Sequence, residues 1–74
     1  MHTVHLRIGK AGITQGVVEE IQRQIERQDP LTVKLMQTFL REHDRKQAAE
    51  QLAEQTRTRI QALRGGVVSL TRKH

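Results

Sequence analysis

The stretch from Val4 to Thr14 limits this chain more than any other. Val4, Leu6 and Ile8 alternate with Thr3, His5 and Arg7, a period-two pattern that predicts a half-buried strand. Gly9 and Gly12 then bracket Lys10 and Ala11, and a helix begins at once. A strand turning directly into a helix points to layered α/β architecture. Both glycines can adopt backbone angles closed to other residues. Thr14 suits an N-cap, with Ile13 and Val18 spaced for a hydrophobic staple. Such a loop turns backbone N–H groups and a helix N-terminus outward, and both favour anions. Lys10 at the tip adds a full charge, so a phosphate grip is one reading and an ordinary glycine-bounded turn the other.

The rest of the chain extends this unit. Val17, Val18, Ile21 and Ile25 form an apolar stripe on a helix read as Gln15 to Gln28, with Glu19 and Arg23 as an i,i+4 pair. Gly16 is a poor helix former, a choice that close approach of another backbone or a ligand would explain. Pro30 ends the helix. Leu31, Val33 and Leu35 alternate with Thr32, Lys34 and Met36, giving a second strand parallel to the first through a right-handed crossover. Residues 37–43 read as a connection in which Phe39 plugs the core rather than stacking on a base. Asp44 opens a second helix with Gln47 in capping-box spacing, and Ala48, Ala49, Leu52 and Ala53 form its buried stripe. Arg45 and Lys46 sit in its first turn, where the helix dipole disfavours cations; they are either solvated surface or a second anion contact.

Thr58–Leu63 reads as a third strand with Ile60 and Ala62 inward and Arg59 and Gln61 outward. Gly65-Gly66 marks a hairpin, Val67, Val68 and Leu70 a short fourth strand, and residues 70–74 a frayed basic tail. The expected fold is one α/β domain over residues 1–74, ordered βαβαββ, with two helices packed on one face of a four-stranded mixed sheet. The other face would show His5, Arg7, Lys34, Arg59 and Gln61.

Composition narrows the function. The 74 residues include no cysteine and one aromatic, so Ile, Leu, Val and Ala must build the core without disulfides or thiolate metal sites. No apolar run approaches the roughly 20 residues needed to span a bilayer. A soluble cytoplasmic protein without a membrane partner is expected. Thirteen Lys and Arg against eight acids give a net charge of +5, which suggests a polyanionic partner. The acids fall in two helical blocks, Glu19–Asp29 and Glu42–Glu54, whereas Thr56–His74 carries cations only. Catalysis is not expected. His2, His5, His43 and His74 are scattered, Glu19 and Glu20 point about 100° apart on a helix, and no nucleophile has a base at a useful spacing. No catalytic residue, cofactor, metal or small-molecule substrate is expected.

The sequences IGKAGIT and GVVEEI, then LTVKLM, DRKQAAEQLAEQT and RIQALRGG, resemble the YhbY family of small RNA-binding proteins built on the CRM domain, most closely its short archaeal members. The resemblance runs from about Val4 to Leu70 and keeps the element order. It implies a fold like the C-terminal domain of translation initiation factor three. It also implies RNA binding through the GxxG loop, and association with large-subunit ribosomal precursors or with introns. Three departures stand out. Bacterial members carry a helix before the first strand. A glycine usually stands in the turn now occupied by Thr56-Arg57-Thr58. The last strand usually ends in an aromatic followed by Arg, where Val68-Ser69-Leu70-Thr71-Arg72 stands here.

The expected function is therefore binding of structured RNA, ribosomal RNA or its precursor foremost, mainly through the phosphate backbone. A pre-ribosomal particle is a possible larger partner. Gly9, Lys10, Ala11, Gly12 and Thr14 would form the grip, with Arg7, Lys34, Arg41, Arg45, Lys46, Arg59 and Arg64 supplying positive surface. Without Trp or Tyr, a sheet platform of the RRM kind is disfavoured. Two other classes stay open: a small DNA-coating chromatin protein, and an assembly adaptor that binds a ribosomal protein.

Overall fold

Leu31, Val33 and Leu35 are buried and Lys34 is exposed, so the alternation read from the sequence is the pleat of a real strand. In a computed structural model, which describes residues 4–73, the chain runs β1 (Leu6–Ile8), α1 (Gln15–Gln24), β2 (Leu31–Leu35), α2 (Gln37–Leu40), α3 (Arg45–Thr56), β3 (Thr58–Arg64) and β4 (Val67–Arg72). The strands form one mixed sheet in the order β1-β2-β4-β3. β1 and β2 are parallel, and β4 is antiparallel to both of its neighbours. Ile21 and Ile25 in and just after α1 join Ala48, Ala49, Leu52 and Ala53 of α3 in one core with Ile8, Leu31, Val33, Leu35, Val68 and Leu70 of the sheet. Both long helices therefore cover the same face, as the sequence predicts. The small alanines let α3 lie close.

Both predicted caps form. The Val17 N–H donates to Thr14 Oγ1 at 3.2 Å and the Gln47 N–H to Asp44 Oδ2 at 3.0 Å, each satisfying a helix-end donor. α1 is shorter than its stripe suggests, ending at Gln24; Arg27 and Gln28 then donate to the Gln24 carbonyl in a closing turn. Arg23 pairs with Glu20 rather than Glu19, whose carboxylate accepts from Gln15. Among the described residues nothing approaches Gly16 closely: a Cβ there would meet only Thr14 Oγ1, at 3.8 Å.

Four further expectations are corrected. Met36 lies outside β2 and precedes α2, a single helical turn within what reads as a loop; Phe39 on that turn is buried, as expected of a core plug. Between Ile60 and Ala62 the β3–β4 register slips, because Gln61 is an extra residue. The slip reverses the phase. Ala62 pairs with Ser69 on the uncovered face and Leu63 with buried Val68, whereas Ile60, before the slip, pairs with buried Leu70 on the covered side as expected but stays 36% exposed on the edge strand. At the start of the chain the pleat fails before Leu6. His5 lies along the α1 side of the edge, its Nδ1 accepting from the Thr32 N–H at 3.0 Å, while Val4 borders the uncovered face. Finally, β4 continues to Arg72. Thr71 Oγ1 and the Arg72 N–H both donate to the Asp29 carboxylate, so Leu70, Thr71 and Arg72 of the expected tail belong to the sheet; His74 lies outside the described residues.

The passage from α3 to β3 takes one residue. Arg57 turns the chain with φ 59° and ψ 44°, the left-handed conformation that glycine occupies most easily. Below it, Thr56 Oγ1 donates to the Leu52 carbonyl at 2.7 Å and lies 2.8 Å from Thr58 Oγ1, so the buried hydroxyls satisfy one another.

Candidate functional site

The loop after β1 is a tight turn closed by the Gly12 N–H donating to the Gly9 carbonyl at 2.9 Å. Gly12 needs its lack of a side chain, with φ 78°; Gly9 has no such angle, so only one of the two glycines uses the left-handed region. Lys10 and Ala11 at the tip are exposed. Thr14 Oγ1 accepts the capping hydrogen bond from Val17, which gives it a structural part irrespective of any ligand.

Register decides which cations meet. Arg7 lies opposite Lys34, Lys34 opposite Val67, and Val67 opposite Arg64. Directly opposed residues share a face, so Arg7, Lys34 and Arg64 stand in one row across the uncovered side of all four strands. Neighbouring strands are about 4.8 Å apart, so the row spans about 14 Å. It lies at the end of the sheet where β1 enters the glycine loop. Arg45, at the start of α3, borders a hollow there with Lys34, Met36 and Gly66. Arg41, just after α2, and Lys46, in the first turn of α3, are exposed at either side of the Asp44 cap.

Arg59 is the exception. It pairs with Thr71, at the far end of β3 near Asp29. Because Gln61 is an extra residue, Arg59 and Arg64 stand opposite Thr71 and Val67, four positions apart on β4, or about 13 Å along a strand. The candidate residues thus form a cluster at the loop end plus one outlier. None of Arg7, Lys10, Lys34, Arg41, Arg45, Lys46, Arg59 or Arg64 forms an ion pair with a described acid. Their charge is uncompensated by contact.

The hairpin turn is built against this end. The Leu35 N–H donates to the Gly66 carbonyl at 2.6 Å, and a Cβ on Gly66 would come within 2.9 Å of the Leu35 carbonyl oxygen. Gly66 thereby lets the β3–β4 turn seat beside β2. His43 counts in the sequence only as one of four scattered histidines. Its ring stacks on Phe39, with centroids 4.2 Å apart and planes 13° from parallel, and it borders the same hollow as Lys10 and Gly12. The i,i+4 spacing of Phe39 and His43 carries that signal once residues 37–40 are recognised as a helical turn. Among the described residues there is no group of three His, Cys, Asp or Glu placed to hold a metal. No helix there is long and apolar enough to cross a membrane.

The family model of the CRS1 / YhbY (CRM) domain matches residues 2–72. The solution structure of a hypothetical protein from Staphylococcus aureus, described there as a candidate RNA-binding protein, superposes with a TM-score of 0.77 at 26% identity. The match covers 97% of this chain and 73% of that one. No curated protein matches the sequence.

Proposed function

Because the chain belongs to the CRS1/YhbY (CRM) domain family, we propose that it is an RNA-binding protein that holds structured RNA mainly by its phosphates at the loop end of the sheet. The observation that carries this reading is the row of Arg7, Lys34 and Arg64 beside the glycine loop, since only the folded register collects these cations on one face. In this reading Lys10 makes the leading contact from the loop tip, with Gly9, Ala11 and Gly12 presenting backbone close to the RNA. Arg45, Lys46 and Arg41 extend the positive surface over the α2–α3 connection. Arg59 belongs to the surface at large.

Phosphate neutralisation releases counterions, so binding should weaken steeply with salt, the log–log slope falling by about 0.7–0.9 per phosphate neutralised. The same proposal places the protein in maturation of the large ribosomal subunit or in RNA processing, the settings that the family resemblance implies. Fluorescence-anisotropy titration of wild type and Lys10→Glu tests it, using a structured ribosomal RNA fragment, a DNA duplex and single strands at several salt concentrations. Preference for RNA with a steep salt slope, much weakened in a folded Lys10→Glu variant, is the expected result. Equal binding to duplex DNA would favour a DNA-coating protein. Absence of salt-dependent binding would favour an assembly adaptor.

A further inference from the structure

Beside the cationic row, the uncovered face of the sheet holds a shallow groove of about 370 Å³ lined by Val4, Thr32, Ala62, Arg64, Val67 and Ser69. We propose that this groove takes the base of an unpaired RNA nucleotide, while the adjacent row holds the phosphates on either side. The inference rests on the RNA-binding reading above and adds to it a single-stranded element and a second kind of contact.

The groove exists because of the extra residue in β3. Without the slip at Gln61, Ala62 would face the helices; with it, Ala62 lies opposite Ser69, and Ser69 opposite Thr32, in a second cross-strand row. That row is two residues along the strands from Lys34, Val67 and Arg64, about 7 Å away. Val4, Ala62 and Val67 offer apolar surface for the flat side of a base. Thr32 and Ser69 carry hydroxyls that both donate and accept, and these have no hydrogen-bond partner among the described residues. One wall is cationic through Arg64, with Lys34 and Arg7 continuing the charge along the same face. An apolar floor, a pair of hydroxyls and a cationic border match base, base edge or ribose, and phosphate in turn.

Charge also selects the occupant. A second copy presenting the same face would set Arg7, Lys34 and Arg64 against their own like, whereas a polyanion is attracted. Aromatic stacking is not needed, because the aliphatic floor excludes water from the base by contact alone.

The test compares a short single-stranded RNA of mixed sequence with the same backbone carrying abasic sugars, and both with a blunt RNA duplex. Wild type should bind the base-bearing strand about ten-fold more tightly than the abasic one, equivalent to covering about 55 Å² of apolar surface. Ala62→Leu, which fills the groove, should erase that difference and leave duplex binding intact. Methyl resonances of Val4, Ala62 and Val67 in the wild type should shift with the base-bearing strand and not with the abasic one, a readout independent of how the variant folds. Equal binding of both strands alongside normal duplex binding would overturn the groove and leave the phosphate grip standing. Loss of all RNA binding would overturn both, and methyl shifts that follow protein concentration without RNA would assign the face to a second copy instead.

Discussion

Arg57 offers a sharp test of the backbone. The chain passes from α3 to β3 through this residue alone, with φ 59° and ψ 44°. A Cβ in the left-handed region crowds the following carbonyl and costs about 1–2 kcal/mol, whereas glycine is free of it but loses about 0.5–1 kcal/mol of extra chain entropy on folding. The difference favours glycine by about 0.5–1 kcal/mol. Comparing Arg57→Gly with wild type would mix this with loss of a cation near the C-terminal end of α3, where the dipole favours it. Arg57→Ala removes the charge equally and keeps the Cβ. The informative comparison is therefore glycine against alanine at position 57. At about 4–8 °C per kcal/mol for a domain of this size, the glycine variant should melt about 2–8 °C above the alanine variant. Thermal unfolding followed by circular dichroism in one buffer reads this directly. An alanine variant as stable as the glycine variant, or more so, would refute the left-handed assignment.

Two glycines separate by the same logic. Gly66→Ala should destabilise the fold by about 1–3 kcal/mol in chemical denaturation, because its Cβ would meet the Leu35 carbonyl oxygen at 2.9 Å and Leu40 Cδ1 at 3.3 Å, and that backbone cannot yield cheaply. Gly16→Ala should do the opposite and stabilise by about 0.5–1 kcal/mol, since the position is exposed in the first turn of α1 and a Cβ finds only Thr14 Oγ1 at 3.8 Å. A destabilised Gly16→Ala would mean that something unrecognised crowds that turn.

Features set by neighbours in sequence were legible in the sequence. The alternation of Leu31, Val33 and Leu35, the caps at Thr14 and Asp44, and the alanine face of α3 each depend on local spacing, and each has the predicted form. Features set by a partner strand were not. Gln61 becomes an extra residue only in pairing with β4, so nothing in its own neighbourhood announces that Ala62 will face outward. His5 leaves the pleat because its ring takes the Thr32 N–H, a partner 27 residues away. The site divides along the same line. The glycine loop and its lysine can be read directly, as can the surplus of cations. That Arg64 stands with Arg7 and Lys34, while Arg59 lies at the far end, follows from register across four strands, which no local pattern encodes.

That division is what one experiment should probe first. Arg64→Glu and Arg59→Glu make the same change of charge on the same strand, about 13 Å apart and so beyond the roughly 8 Å over which exposed charges act on one another at physiological salt. Titrated against one structured RNA fragment across a range of salt, Arg64→Glu should weaken binding at least ten-fold and flatten the salt slope by about one unit. Arg59→Glu should stay within about two-fold of wild type, with its slope unchanged. Equal losses in the two variants, or a larger loss in Arg59→Glu, would contradict a grip at the loop end of the sheet.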